Sequence, residues 1–319
     1  MALFRGILVL ISIVGLLIAG LVFAFSDPDV PADVLVGKYG QAPSQFVDLP
    51  SGAHVHYRDQ GQPTAMPLVL LHGSNASLHT WEPWVRELST QFRVISVDLP
   101  GHGLTGPVPG DDYSQEGMVK FVDEFTLRLK VDRFALAGNS MGGGVAACFA
   151  IEHPERLTHL ILVDAAGLPT KTPQDPGLGF RIARTPVLQN LMLYVSPRRL
   201  FEDDLKKAIV DDAIVTPEMV DRYWELNRRV GTRAATLKRF QIPRDDFIEL
   251  NVMKITAPTL ILWGELDTFV PRDVGDAYNN AIKGSRLIVY KNVGHIPMEE
   301  VPEPSARAVR EFLAAPSVP

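Results

Sequence analysis

The sequence predicts an α/β protein built on a doubly wound, mostly parallel sheet, and three observations predict it. From about residue 44 onward, eight short runs rich in β-branched residues alternate with helical stretches. The middle runs, such as PLVLLH, RFALAGN and THLILVD, are continuously apolar, as strands are when a parallel sheet is covered on both faces. Between Leu168 and about Ile255 the rhythm stops. That interval holds no convincing strand but several amphipathic helical stretches, so a helical segment is inserted between two sheet strands.

The first element is apolar. After MALFR comes GILVLISIVGLLIAGLVFAF, residues 6–25, with no charge and only Ser12 as a side-chain hydrogen-bonder. Twenty helical residues span about 30 Å, the thickness of a bilayer's hydrocarbon core. A cleaved signal peptide is the alternative, but its apolar region is usually about 7–15 residues long and Ala24-Phe25-Ser26 is a poor cleavage site. Arg5 before the span, with Asp27, Asp29 and Asp33 after it, orients the N-terminus to the cytoplasm and the remainder to the far side of the membrane. Residues 26–43, with Pro28, Pro31, Gly37, Gly40 and Pro43, read as a linker.

Strands are expected at 45–50, 54–59, 67–72, 92–99, 133–139, 158–164, 258–264 and 286–292, and helices between them at 78–90, 113–130, 141–152, 272–283 and 303–314. Within the insertion, 199–211 and 217–230 are helical candidates. The chain therefore divides into an anchor (1–25), a linker (26–43), a first core part (44–167), a helical cap or lid (168–255) and a second core part (256–319).

Composition excludes several function classes. The chain of 319 residues is 46% hydrophobic and 21% charged, which is ordinary for a packed globular body. A single cysteine, Cys148, rules out an internal disulfide and a multi-thiolate metal site. A net charge of −6 argues against a nucleic-acid partner, which would favour a basic excess. The mean hydropathy of +0.07 reflects in large part the first 25 residues. The insertion carries 15 Lys and Arg against 12 Asp and Glu, so it is +3 and the remainder −9. Three charges are little leverage toward anionic lipid, and a solvated helical surface accounts for them.

The strongest chemical signal is Gly138-Asn139-Ser140-Met141-Gly142 between a β run and a helical pattern. That context makes G-x-S-x-G a nucleophile elbow. A nucleophile on so tight a strand-to-helix turn holds strained backbone, and its neighbours two residues away on either side must lack side chains. A serine hydroxyl needs a base, and the base needs an orienting acid. His295 follows the last strand candidate and Asp267 the one before it, in the chain order Ser140, Asp267, His295. Glu265, Asp273 and Asp164 compete with Asp267 for the acid's place. Acyl chemistry also needs oxyanion donors. The backbone N–H of Ser74, in Leu71-His72-Gly73-Ser74, can converge with that of Met141. Asp98-Leu99-Pro100-Gly101-His102-Gly103 reads as a shaping loop with a structural His102.

The set LLHGSN, DLPGHG, GNSMGG, LWGELD and VGHIPMEEVPEP, in this order and spacing, resembles the α/β-hydrolase superfamily over residues 45–314. The resemblance implies an eight-stranded mostly parallel sheet, a helical cap between the sixth and seventh strands, a triad of Ser140, His295 and Asp267, and oxyanion amides from Ser74 and Met141. It implies no cofactor and no metal. A serine at position 140 separates the chain from dehalogenase and epoxide hydrolase relatives, whose nucleophile is an aspartate.

Two closer resemblances lead to different substrates. The apolar N-terminus, the elbow and DAAGLP are similar to membrane-anchored monoacylglycerol lipases and bacterial lipases of this architecture. GNSMGG is also similar to the hydrolases that split carbon–carbon bonds in meta-cleavage products. The anchor favours an ester or lipid substrate and a membrane as partner. A carbon–carbon hydrolase, a non-catalytic ligand-binding protein and peracid side chemistry are the alternatives. Phe180, Leu188, Leu191, Met192, Leu193, Tyr194 and Trp224 are candidates to line an acyl pocket, although packing on the core accounts for most of them.

Overall fold

In the computed structural model the described residues are 26–172 and 188–315, together with scattered positions between 4 and 20 and positions 182 and 185. Eight strands form one sheet: β1 (Ser44–Asp48), β2 (His54–Gly61), β3 (Pro67–Leu71), β4 (Arg93–Val97), β5 (Phe134–Asn139), β6 (Leu157–Val163), β7 (Thr259–Gly264) and β8 (Arg286–Tyr290). Their spatial order is β1-β2-β4-β3-β5-β6-β7-β8. The β1–β2 and β2–β4 pairs are antiparallel and the other five are parallel. All eight expected strands are present, with ends shifted by no more than two residues.

The sheet is buried from both sides, as the continuous apolar runs require. Leu68, Leu70, Ala135 and Leu260 pack into one core under α2 (Glu82–Leu88), while Val69, Leu71, Leu136 and Ile261 pack into the other under α3 (Gln115–Arg128) and α4 (Met141–Glu152). Strand alternation sends neighbouring side chains to opposite faces, so one apolar run serves both layers. Ser114 ends the loop before α3 and accepts a hydrogen bond from the Gly117 N–H at 3.0 Å, a side-chain cap that fixes where the helix starts.

Between β6 and β7 the described residues form α5 (Arg198–Ala208), α6 (Pro217–Asn227), α7 (Thr232–Gln241) and α8 (Phe247–Asn251). Helices α5 and α6 fall where the amphipathic pattern put them, with Thr216 capping α6 and Pro217 at its first position. Helices α9 (Arg272–Ala281), α10 (Pro297–Glu300) and α11 (Pro302–Ala314) complete the core.

The stretch expected to be a linker is different. It contains a helix, α1 (Ala32–Tyr39), and lies along the β6–β7 insertion. Val30 pairs with the 228–230 backbone: its N–H donates to Arg228 O at 2.7 Å, and Val230 N–H donates to Val30 O at 3.1 Å. Arg233 pairs with Asp29 at 2.6 Å and Lys38 with Glu225 at 2.7 Å. Leu35 is buried against Leu104 and Leu226. Pro31 and Gly40 flank α1, and Pro28, Asp29 and Lys38 are held by polar contacts from residues 187 to 204 positions away.

Among the described residues no helix is long and apolar enough to cross a membrane. The span expected at 6–25 lies largely outside the described residues, of which 4–7, 9, 12–13, 15–16 and 20 are helical.

Candidate active site

Parallel register brings five strand ends to one edge. Leu71 of β3 lies beside Gly138 of β5, Asn139 beside Val163 of β6, and Gly264 of β7 beside Tyr290 of β8. The residues just beyond these ends, Ser74, Ser140, Asp164, Asp267 and His295, therefore emerge together outside the carboxyl edge of the sheet, where open α/β sheets collect ligands.

Ser140 sits at φ 53°, ψ −118° between β5 and α4. Such backbone costs about 1–3 kcal/mol for a residue with a side chain and persists only when its surroundings enforce it. The two glycines of the elbow show why. A Cβ at Gly138 would overlap the Gly142 carbonyl oxygen, and one at Gly142 would overlap the Leu71 carbonyl oxygen. Ser140 N–H donates to Val163 O at 3.0 Å, which locks the turn onto β6.

The structure pairs His295 with Asp267: Nδ1 donates to Oδ2 at 2.7 Å. Asp267 Oδ1 accepts from the N–H groups of Phe269 and Val270 at 2.8 and 3.0 Å, so the carboxylate is held on both oxygens. Its three competitors are engaged elsewhere. Asp273 accepts from the Thr170 hydroxyl and the Lys171 N–H, and Glu265 accepts from Asn292 N–H on the surface. Asp164 is fully buried behind the pair, with one oxygen accepting from Gly264 N–H at 2.8 Å. Ligand atoms of Asp164, Asp267 and His295 all lie within 4.8 Å of one another. Burial, and then the neighbouring Asp267 carboxylate, push the Asp164 carboxyl well above the ordinary carboxylate range. This arrangement leaves Asp164 protonated behind the Asp267–His295 pair.

The Ser74 loop lies against the elbow, since a Cβ on Gly73 would come within 3.1 Å of Ser140 Cβ. His72 pins it: Nδ1–H donates to Gly73 O at 2.7 Å while Nε2 accepts from Leu99 N–H at 3.0 Å. Complete burial pushes this imidazole's pKa down, consistent with the neutral tautomer that the two bonds require. His102 is neutral for the same reason and donates from Nδ1 to Pro100 O at 2.9 Å. The Met141 amide opens α4, where the helix dipole favours negative charge.

Four site residues escaped sequence reasoning. Asn139 donates from Nδ2 to Val163 O and His295 O, tying the elbow to the histidine loop. Glu300 accepts from Gly294 N–H and Val210 N–H, and Glu299 accepts from Thr80, Tyr223 and Arg222, so α10 clamps the histidine loop to the β6–β7 insertion. Arg239 of α7 donates to Ser74 Oγ at 2.6 Å. The acids of EE were visible in the motif, but the partners of Glu299 lie 76 to 219 positions away and Glu300 reaches Val210 across 90 positions.

Ser74, Ser140, Met141, Asp267 and His295 all line one cavity of about 1480 Å³. Leu191, Met192, Val195, Leu200 and Phe201 of the insertion form apolar wall opposite them. Of the proposed pocket-lining set, Leu191 and Met192 do line the cavity. Leu188, Leu193, Tyr194 and Trp224 do not, and Phe180 lies outside the described residues. Trp224 is bound instead to Ser196 O and covered by Arg228.

The family model described as the alpha/beta hydrolase fold matches residues 66–302. A 2-hydroxy-6-oxononadienedioate/2-hydroxy-6-oxononatrienedioate hydrolase of Paraburkholderia xenovorans is 30% identical over 287 residues, covering 85% of this chain and 95% of the relative. A solved structure of a membrane phospholipase A, described as a bacterial virulence factor, is similar over 98% of both chains, with a TM-score of 0.71 and 26% identity. A thermophilic esterase from Thermogutta terrifontis covers 84% of this chain and 98% of its own, with a TM-score of 0.70 and 28% identity. With sheet order, elbow and family match in agreement, the chain belongs to the α/β-hydrolase fold family.

Proposed function

We propose that the protein is a serine hydrolase that cleaves carboxylic esters of apolar, lipid-like acyl groups through an acyl-enzyme on Ser140. The observation that carries this reading is the junction of a strained serine and a His–Asp pair with a large cavity walled by apolar side chains. Its volume exceeds the roughly 300–1,000 Å³ of ordinary small-molecule pockets and suits an acyl chain.

Ser140 Oγ attacks the carbonyl carbon while His295 takes its proton, and Asp267 holds the imidazolium that forms. The amides of Ser74 and Met141 receive the oxyanion. His295 gives the proton to the departing alkoxide, then takes one from water as the water oxygen bonds to the acyl carbon. It returns that proton to Ser140 Oγ as the acyl C–Oγ bond breaks and the acid leaves. The β6–β7 insertion acts as the lid that keeps bulk water from the acyl-enzyme.

In the same proposal residues 6–25 anchor the chain in a membrane, with the N-terminus cytoplasmic and the catalytic body on the far side. The uncharged run supports this, as do Phe4, Ile7, Val9, Ile13 and Leu16, which are at least half exposed and so are not covered by the body. Secretion after signal cleavage is the alternative. Protease added to intact cells is expected to remove the C-terminal body, and full protection would overturn the topology.

A second reading, cleavage of a carbon–carbon bond by the same triad, is favoured by the relatives named as hydrolases of 2-hydroxy-6-oxo dienoates. A panel of p-nitrophenyl esters, monoacylglycerols and a vinylogous diketone separates the two. Turnover of esters that disappears in Ser140→Ala supports the first reading, and turnover of the diketone alone overturns it.

A further inference from the structure

Helix α7 sits on the Asp98–Gly103 loop, where Ala235 packs so closely that a Cβ on Gly101 would meet its Cβ at 3.1 Å. One helical turn later the same face carries Arg239, whose side chain lines both the large cavity and a smaller side pocket of about 400 Å³. The two cavities share Tyr113, Gln115, Arg239 and Arg244, so the side pocket opens off the first beside the Ser74 loop.

Among the described residues the guanidinium at this junction has no counter-ion. Its one hydrogen bond among the described residues runs from Nη2 to Ser74 Oγ, its Nε is buried without an acceptor, and its plane lies over the Phe240 ring at 4.6 Å. Arg198, Arg222 and Arg233 of the insertion pair with Asp221, Glu299 and Asp29, whereas Arg228 is bound to Pro28 O and lies over the Trp224 ring. The titratable groups behind Arg239 are His72 and His102, both neutral and both committed through Nδ1 to backbone carbonyls. Of the acids on the cavity walls, Asp267 is bound to His295, and burial shifts Asp204 toward its neutral form. Asp245, at the exposed rim of the side pocket, accepts from Phe247 N–H. A half-buried guanidinium without an anion leaves N–H donors unmatched by protein, and a planar fork of such donors is matched by carboxylate and phosphate oxygens.

We propose that Arg239 is the recognition site for a negatively charged group on the substrate, a carboxylate or a phosphate ester that sits in the side pocket while the scissile ester carbonyl lies at Ser140. The anion replaces water on the free N–H groups of the guanidinium, and the apolar remainder of the substrate fills the large cavity. This narrows the substrate class and rests on the acyl-transfer reading given above.

The test uses the full-length chain and two matched pairs of esters: monomethyl adipate against dimethyl adipate, and 1-butyrylglycerol 3-phosphate against monobutyrin. Binding is measured by calorimetry to Ser140→Ala, and turnover by acid release from the wild type. The expected result is that the charged member of at least one pair binds about tenfold or more tightly than its neutral partner. Adding Arg239→Gln is expected to remove that preference and Arg239→Lys to restore part of it. The pair that shows the preference identifies the anion. Equal affinities within both pairs, or a preference that survives Arg239→Gln with native circular dichroism, would overturn the proposal. So would a fall in kcat equal for charged and neutral esters, because the cation would then serve the oxyanion loop alone. A binding preference without turnover of any ester would sink the acyl-transfer reading and leave the anion site standing.

Discussion

The side-chain amide of Asn139 donates to the carbonyl oxygen of His295 at 3.0 Å and to that of Val163 at 3.2 Å. One residue before Ser140, it thus fixes the histidine loop relative to the elbow, across 156 positions of sequence. Asn139→Ala leaves the His295 carbonyl without this donor in a dry environment, a cost of about 1–3 kcal/mol. It also frees the imidazole to drift, and small misplacements cost up to about 100-fold. The expected outcome is a fall in kcat on a p-nitrophenyl ester of about 10- to 100-fold with KM little changed. An unchanged kcat would remove Asn139 from the positioning of His295.

Glycines at different places are expected to respond oppositely to alanine. Gly142→Ala drives a methyl into the Leu71 and His72 carbonyl oxygens, which are backbone and cannot turn away. The elbow must open, so the variant is expected to lose more than about 3 kcal/mol or fail to accumulate as folded protein. Gly37, in the exposed middle of α1, has no atom within 4 Å of where its Cβ would be. Gly37→Ala is expected to gain about 0.5–1 kcal/mol, read as a raised midpoint in thermal unfolding.

Asp164 and the buried histidines give stability opposite pH slopes. The Asp164 carboxyl keeps its proton in the folded state, whereas the unfolded chain releases it above about pH 4. Its contribution therefore declines as pH rises from about 4 through its folded pKa, by up to about 1.4 kcal/mol per pH unit. His72, His79 and His102 are pushed down by burial, His79 to about 4, so the unfolded chain takes up their protons first as pH falls below about 6.5. Their contribution declines toward acid. Asp164→Asn removes only the first component. In urea unfolding, the variant's stability relative to wild type is expected to climb steadily from pH 4 to 7. A constant difference across that range would mean that Asp164 is ionised in the native protein.

The segment before the sheet is expected to behave as a docked strap. Leu35, 1% exposed, is its apolar contact with Leu104 and Leu226, while Asp29 and Lys38 pair with Arg233 and Glu225. Leu35→Ala is expected to cost about 2–4 kcal/mol for release of the strap. Limited proteolysis would report this as faster cleavage within residues 26–43. Cleavage no faster than in the wild type would show that the polar contacts hold the strap unaided.

The sequence by itself determined the α/β class, all eight strands and the elbow. Continuous apolar runs, β-branched residues and paired glycines are local signals, and the elbow's steric demand falls on Gly138 and Gly142 within two residues of Ser140. It also brought His295 and Asp267 to strand ends, because chain order and register in a parallel sheet are coupled. It left four acids competing for one role. Only the tertiary structure decided among them, since a 2.7 Å hydrogen bond to His295 depends on how β7 and β8 pair and not on the residues next to Asp267. The same holds for Asn139, Glu299, Glu300, Arg239 and the docked strap at 26–39. Each acts through a partner distant in sequence, and hydrogen bonds and ion pairs of that kind leave no periodicity for a sequence to display.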